Sequence, residues 1–460
     1  MKKVVILGAG RSAPYIIRRM VDLAPERGWE VVVADIDKDA AQRSIGGEVS
    51  YATALALNAT EEPELAGAIK GADVVCNFLA PRFQPAVARH CVEEGAHMVS
   101  VSYISEETRE LDGWARDQGV MLLGEMGLDP GIDHMMAMEA VQEVRSRGGK
   151  ILSFRSFGSG VPEPDSKSNP LQYLITWNPW NVATAGRAGA QYMLDGQIRI
   201  VPHRRLFLHT WPVEVEGVGT LEAYPNRDSL SYRDHFDLHY ARTMIRGTLR
   251  WPGFCETWAK IVKLGLTNTN LNIPDLADLS PREVVGMFLP LPVPADRVVE
   301  AATLFLELNP TGPIISNLRF IGLFDDEPSG CPGHTAADMV AHLLEARLAP
   351  PPGARDMVIL VHQMDVKFGD QQDEGCERVT YTMVDTGDAL GMSAMAKTVG
   401  LPAALAAEMM LAGELQLSGC LLPTDGAIYK PVLKQLKEEG LGFTVTTEAI
   451  QGCGESLGSL

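Results

Sequence analysis

The sequence predicts an α/β protein: a parallel, doubly wound sheet comes first, then a second α/β region of different texture. Two observations predict it. Apolar strand-like runs at 4–7, 30–34, 74–78, 97–101 and 120–123 alternate with helical patterns at 12–23, 62–69, 84–94 and 106–118. Strands separated by single helices pair in parallel. After Gly148 that alternation stops, and strand-like pieces at 151–157 and 198–201 lie on either side of a Pro/Ser/Asn-rich loop at 158–171.

The first strand, Val4-Val5-Ile6-Leu7, follows two lysines. Gly8 cuts its apolar run after four residues, too short for the apolar region of a signal peptide. Gly8-Ala9-Gly10-Arg11-Ser12-Ala13 is a G-x-G-x-x-A between a strand and a helix. The first Gly makes the tight turn and the second admits a pyrophosphate. The small third position lets helix and strand pack, with the helix N-terminus toward the phosphates. A glycine-rich turn without a nucleotide is the alternative, which the strand–turn–helix context disfavours.

The second strand ends at Asp35. An acid roughly 20 residues past the glycines bonds ribose hydroxyls and repels a 2′-phosphate, which favours NAD, with NADP the second candidate. Asp37 takes that role if the strand ends later, and either Asp can instead cap the helix starting near Lys38. The candidate cofactor-binding set is Gly8, Gly10, Arg11, Ser12, Ala13, Asp35, Leu79 and Ser100, with no metal site. Residues 51–56 alternate and read as a further strand.

Ser102-Tyr103 follows the 97–101 strand, where hydroxyls can meet a substrate carboxylate or amine; a plain loop Ser-Tyr is equally common. Past the 120–123 strand comes Gly124-Glu125-Met126-Gly127-Leu128-Asp129-Pro130-Gly131-Ile132-Asp133-His134. It sets carboxylates, a His and an Asp-Pro-Gly turn at the carboxyl end of a strand, where open α/β sheets bind ligands. Asp129 either faces a ligand or caps the next helix, and His134 reads as structural.

Further on, Tyr224-Pro225-Asn226-Arg227-Asp228-Ser229 and Ile245-Arg246-Gly247-Thr248-Leu249-Arg250 each set Arg among small or turn-forming residues. Guanidinium forks suit carboxylates, and an inter-domain ion pair is the alternative use. Residues 254–348 are mostly helical, with Pro-rich breaks at 290–294 and 350–352. Strands return at 356–364 and 378–384, and an apolar helix at 393–411 follows.

A chain of 460 residues, 46% hydrophobic and 22% charged, is expected to form two or three globular domains. A net charge of −19 argues against nucleic acid and anionic membrane as partners, so an anionic substrate needs a local basic site. No run reaches the roughly 20 apolar residues of a membrane span. The seven cysteines are scattered, without metal-ligand spacing, which fits reduced thiols and a cytoplasmic location.

Taken together the motifs resemble the saccharopine dehydrogenase family, in its glutamate-forming branch. The resemblance rests on the glycine turn, Ser102-Tyr103-Ile104-Ser105, Gly127-Leu128-Asp129-Pro130-Gly131-Ile132-Asp133-His134, Asn169-Pro170-Leu171, both arginine motifs and Ser393-Ala394-Met395-Ala396-Lys397-Thr398-Val399-Gly400. It implies a variant Rossmann domain at 1–130, completed by about 390–412. It also implies a mixed-sheet domain at 131–252 and 353–460 for substrate binding and dimerisation, and a small helical domain at 253–352. The implied reaction oxidises the secondary amine of saccharopine. Hydride leaves the lysine ε-carbon for the nicotinamide, and water hydrolyses the imine to aminoadipate semialdehyde and glutamate. By similarity Ser102, Tyr103 and Asp129 touch substrate from the sheet edge, with Asp129 orienting the amine and Tyr103 next in line for proton transfer. Arg227 and an Arg246-Gly247-Thr248 turn hold its carboxylates from the second domain. The implied assembly is a homodimer.

The chain departs from the family in three places. The family's S-Y-C-G-G-L-P-A-P-E is here Ser156-Phe157-Gly158-Ser159-Gly160-Val161-Pro162-Glu163-Pro164-Asp165, without the Cys. Its L-P-Y-x-x-H-P is Leu79-Ala80-Pro81-Arg82-Phe83-Gln84-Pro85, and its S-S-Y is Val101-Ser102-Tyr103. Cofactor use and fold are therefore implied more firmly than the substrate: another carboxylated secondary amine is the alternative, and a non-catalytic nucleotide-binding protein the third reading.

Overall fold

A computed structural model describes residues 1–47, 49–369, 376–388 and 391–450. The chain divides into two compact units, Met1–Arg147 with Gly387–Thr444, and Gly148–Thr386 with Val445–Leu460.

In the first unit, β1 (Lys2–Leu7), α1 (Pro14–Arg27), β2 (Trp29–Asp35), α2 (Lys38–Ile45), β3 (Ala52–Ala56), α3 (Glu62–Ile69) and β4 (Val74–Asn77) alternate. They are followed by α4 (Gln84–Glu94), β5 (His97–Ser100), α5 (Glu106–Arg109), α6 (Asp112–Asp117), β6 (Met121–Leu123) and α7 (Ile132–Ser146). The sheet is parallel, in the order β6-β5-β4-β1-β2-β3. Its inner strands are buried on both faces, so they read as continuous apolar runs. The order reverses between β1 and β4, and the crevice at that switch point is where such sheets take ligands. α1 starts on Pro14, whose missing N–H costs nothing at a helix start, and ends at left-handed Gly28.

A seventh strand, Gly419–Leu421, pairs parallel with β6, an addition the sequence reading lacks. The Ala394–Ala412 helix, capped by Ser393, packs on α1 at Gly400, where a Cβ would come within 3.0 Å of the Ile16 nitrogen. By length and composition it could cross a membrane, but 78% of its apolar window is buried in the protein. The sequence reading assigns α7 and residues 413–444 to the second domain; they belong to the first unit, where the Gly426–Glu438 helix packs on α7.

Among the described residues the second unit holds a mixed ten-stranded sheet. Its strands are β7 (Gly149–Pro162), β8 (Ala190–Leu194), β9 (Gln197–Val201), β10 (Trp211–Val215), β11 (Gly219–Pro225), β12 (Arg227–Asp228), β13 (Thr243–Arg250), β14 (Asp356–Phe368) and β15 (Cys376–Thr386), with a late strand at Thr444–Ile450. β7 is central, parallel to β13 and antiparallel to β14. The expected loop from residue 158 therefore starts later, because 158–162 lie in β7. Pairing on both edges outweighs the poor strand propensity of its glycines. The helices of 253–352 share one apolar core with this sheet, to which Phe254 and Trp258, stacked at 5.1 Å one turn apart on the helix Phe254–Leu264, both belong. Five cysteines (Cys76, Cys91, Cys255, Cys331 and Cys420) are free, as expected, whereas Cys376 is disulfide-bonded, which the expectation of reduced thiols missed.

Candidate active site

The predicted cofactor residues gather at the carboxyl edge of the first unit's sheet. Gly8 has φ +97°, and a Cβ there would stand 3.0 Å from the Phe78 carbonyl oxygen, so the protein itself requires glycine. At Gly10 a Cβ would meet nothing within 4 Å. The space over Gly10 is a cradle that a side chain would fill, and a close-approaching pyrophosphate fits it. Ala13 is fully buried against the sheet, while Arg11 is exposed on the turn.

Asp35 braces this turn. One carboxylate oxygen accepts the Ala9 N–H at 2.7 Å and the other the Asp37 N–H at 2.9 Å. Asp37, not Asp35, caps α2, accepting from Asp39 and Ala40. The two readings open for these acids thus separate. Leu79 donates its N–H to Asn77 Oδ1 at 3.2 Å. Ser100 is fully buried and accepts from Gln84 at 3.0 Å, a supporting position rather than a surface one. Gln84, also buried, further reaches the Ser102 carbonyl, Ser105 and Thr108, tying down the chain beyond β5. Arg82 stacks on the neighbouring Phe83 at 4.7 Å.

From Val120 to Ala137 every residue except Asp129 is buried. The turn is closed by Gly127 N–H to the Pro130 carbonyl at 2.9 Å and by Ile132 N–H to the Gly127 carbonyl at 2.9 Å. Gly131, at φ +148°, lies so close to Gly127 that a Cβ would fall 2.0 Å from its carbonyl oxygen. Asp129 is therefore presented from a rigid, buried support. Tyr103 Oη donates to Asp129 Oδ1 at 3.1 Å, joining two of the predicted catalytic residues. Ser102 is half-buried beside them. His134 is fully buried, with Nδ1 2.7 Å from Asp133 Oδ1, which supports its structural reading.

In the second unit the two arginine motifs lie side by side, since Asn226 N–H donates to the Arg246 carbonyl at 2.9 Å. Arg227 is exposed and takes φ +50° in the short β12. Arg246-Gly247-Thr248 is not a turn but the middle of β13, between β11 and β7. Gly247 faces the core, where a Cβ would come within 2.8 Å of the Tyr224 carbonyl oxygen and 3.1 Å of the Phe157 ring; its role is packing. Strand alternation puts Arg246, Thr248 and Arg250 on the opposite face. Arg246 is buried with its guanidinium 4.1 Å over the Tyr232 ring.

Arg250, quoted in the motif but given no role by the sequence, is 4% exposed in a cage of Tyr173 (4.8 Å), Phe254 (5.1 Å) and Tyr224 (5.8 Å). Its Nη1 donates to Ser159 Oγ at 2.5 Å and to the Leu249 carbonyl at 2.8 Å, while Nε has no partner among the described residues. Among the described residues its hydrogen bonds go to neutral acceptors, with the Glu222 carboxylate acting on it without a hydrogen bond, and such a buried guanidinium suits an incoming carboxylate. Its signal in the sequence was weak, because the cage comes from distant segments.

Comparison with known proteins identifies the family. Residues 4–123 match the saccharopine dehydrogenase NADP binding domain and residues 127–441 the saccharopine dehydrogenase C-terminal domain. The chain is 31% identical over 443 residues to saccharopine dehydrogenase [NADP(+), L-glutamate-forming] of Saccharomyces cerevisiae, covering 95% of this chain and 97% of that protein. It is 32% identical over 448 residues to the mitochondrial alpha-aminoadipic semialdehyde synthase of Bos taurus, covering 96% of this chain and only 47% of that longer protein. The solved apo saccharopine dehydrogenase (L-Glu forming) of S. cerevisiae superposes with a TM-score of 0.84 at 30% identity, covering 98% of this chain and all of that one. Homospermidine synthase of Legionella pneumophila, at 10% identity and TM-score 0.56, shares the fold. The matched family description and the fungal relative are named for NADP, which favours it over the NAD expected from Asp35. The chain belongs to the saccharopine dehydrogenase family.

Proposed function

We propose that the protein is a nicotinamide-dependent oxidoreductase that cleaves saccharopine at its secondary amine, yielding aminoadipate semialdehyde and L-glutamate. The observation that carries this is Asp129: the one half-buried residue of an otherwise buried loop, bonded to Tyr103 at the ligand-binding edge of the sheet. The glycine turn, Asp35 and the N-terminus of α1 would hold the dinucleotide, which when bound supplies the hydride acceptor.

The chain's own residues do the rest. Asp129 orients the substrate amine and stabilises the positive charge that grows on nitrogen as the C–H bond breaks. Tyr103, held by Asp129, is the group placed to pass a proton to or from that nitrogen when water adds to the imine. Saccharopine carries three carboxylates, and Arg227, Arg246 and Arg250 are the guanidiniums proposed to bind them, with Ser102 and Thr248 as hydroxyl donors. On the cofactor, Asp35 supports NAD, whereas the relatives' names support NADP, and turnover with each decides between them. A homodimer in the cytoplasm belongs to the same proposal, checked by light scattering and by localisation of a tagged protein.

The test is steady-state turnover with saccharopine and each cofactor, read at the absorbance of the reduced nicotinamide. Reduction with saccharopine and with no other carboxylated secondary amine is expected. Turnover only of another such amine would replace the substrate, and none at all would sink the enzyme reading.

A further inference from the structure

Beneath the Tyr103–Asp129 pair lie three buried ionisable groups that the scheme above leaves idle. Glu125, Asp133 and His134 are 3%, 2% and 0% exposed. His134 stands between the two acids, Nε2 3.6 Å from Glu125 Oε2 and Nδ1 2.7 Å from Asp133 Oδ1. Both ends of this row reach the site. Glu125 Oε1 accepts the N–H of Ile104, the residue after Tyr103, at 3.2 Å. Asp133 Oδ1 accepts the N–H of Gly131, two residues past Asp129, at 2.7 Å. The Tyr103–Asp129 bond of 3.1 Å closes the circuit.

The backbone points the same way. Glu125 takes φ +60°, left-handed for a residue with a Cβ, a conformation that costs on the order of 1 kcal/mol and persists only where the surroundings impose it. Here the imposed geometry comes with Glu125 N–H bonded to the Ser102 carbonyl at 3.1 Å and with the side chain placed between the two loops.

Charge then restricts what the row can be. Two ionised carboxylates beside a neutral imidazole, all shut away from water, would be strongly unfavourable. The groups acting on Glu125 are His134 and Asp133 on α7, Arg109 on α5, the Ile104 N–H and Cys420 on the strand beside β6. Burial pushes the Glu125 carboxyl up, while His134, the Ile104 N–H and Arg109 pull it back.

We propose that Glu125 and His134 are positioning residues of this enzyme: set against each other in the buried row, they hold the Tyr103 loop and the Asp129 turn at hydrogen-bonding distance. The proposal rests on the roles given above to Tyr103 and Asp129. When Glu125 is fully protonated its attraction for His134 is lost, the circuit loosens and proton transfer through Tyr103 slows.

Glu125→Gln is the sharp probe, because the amide oxygen can still accept from Ile104 while the charge is gone. It is expected to lower kcat about tenfold, with KM for saccharopine and cofactor little changed, since small displacements of catalytic groups weigh mainly on turnover. It should also abolish the fall of kcat on the acid side that Glu125 protonation imposes on the parent. Added to Tyr103→Phe, which already cuts the circuit, it should cost nothing further. Independently of turnover, a carbon-13 label on the Glu125 carboxyl should titrate above the ordinary glutamate range, and His134→Asn should move that midpoint further up. A folded E125Q protein with the parent's kcat and pH profile would overturn the proposal, as would a Glu125 midpoint that H134N leaves in place. If E125Q does not fold, the labelled H134N protein decides. Failure of the parent to oxidise saccharopine would instead sink the substrate assignment and leave the carboxyl titration as the deciding result.

Discussion

Replacing Asp35 by Asn isolates one charge at the place where the cofactor's ribose should lie. The carboxylate oxygens hold the Ala9 and Asp37 N–H groups at 2.7 and 2.9 Å. An amide oxygen can keep the first of these, and losing the second costs about 1 kcal/mol of stability, a loss common to both cofactors. What differs between cofactors is the ribose. A hydrogen bond from a ribose hydroxyl to a charged acceptor is worth about 1.5–3 kcal/mol, so NAD should lose roughly 10- to 100-fold in kcat/KM. A 2′-phosphate within about 5 Å of a carboxylate is repelled by a few kcal/mol at an effective dielectric of about 20, so NADP should gain on its removal. The ratio of kcat/KM for NAD to that for NADP should therefore fall by at least about tenfold from the parent to Asp35→Asn. Initial rates at fixed saccharopine with each cofactor measure it. Equal ratios in parent and variant would show that Asp35 only braces the glycine turn and that cofactor choice lies elsewhere.

The glycines make a paired prediction. Gly10→Ala should melt with the parent, because its Cβ meets nothing, yet lose cofactor binding by fluorescence titration; Gly8→Ala should lower the melting temperature as well, its Cβ meeting the Phe78 carbonyl at 3.0 Å with φ +97°. Arg250→Met should raise the saccharopine KM roughly 10- to 100-fold while leaving the melting temperature equal or higher, since a caged cation hydrogen-bonded to neutral acceptors is replaced by apolar volume; an unchanged KM would remove Arg250 from the site. Arg227→Ala should likewise raise the saccharopine KM and spare cofactor affinity, and equal loss of both would indicate a folding role. Burial holds Glu222 above its ordinary value of 4.5, so the folded state binds that proton more tightly than the unfolded chain. Its contribution to stability is complete below 4.5 and is lost as pH rises through the higher folded value, so Glu222→Gln should flatten that part of a urea-stability profile; an unaltered slope would count against it. Burial also pushes the Cys76 thiol up to about 12 and Cys420 up to about 11, so neither should react with an aromatic disulfide reagent in the native protein near pH 8.

The first sheet was legible because its inner strands are covered on both faces and carry unbroken apolar runs. The Gly419–Leu421 strand was not: three residues hold no period, and only pairing with β6 makes them a strand. The same reason hid the end of β7, where Gly158, Ser159 and Gly160 look like a loop until β13 and β14 pair with them. At the candidate site, the placement of Asp129, Tyr103 and Asp35 at strand ends was legible. Arg250 was not, since its cage joins Tyr173, Tyr224 and Phe254 from separate segments. Glu125 stood in plain view within the quoted loop, but nothing local tells that its side chain turns inward to His134.

The position at which this chain departs from the family pattern now has a structural address. Gly158, where the pattern carries Cys, pairs with Thr248, and Ser156 on the same face of β7 pairs with Arg246. By strand alternation, a side chain at 158 would emerge on the face that carries Arg246, Thr248 and Arg250. The change from Cys to Gly therefore removes a group beside the proposed carboxylate-binding arginines and leaves the sheet's apolar face, with Phe157 in it, intact. Fold and cofactor turn are untouched by it; what it alters is the strand face that carries the arginines proposed to bind substrate carboxylates. The proton-transfer role is proposed for Tyr103, bonded to Asp129 at 3.1 Å, so no acid or base at 158 is required by the proposal. On the proposed roles the departure falls among the carboxylate-binding residues, and the acid–base roles proposed for Tyr103 and Asp129 do not depend on it.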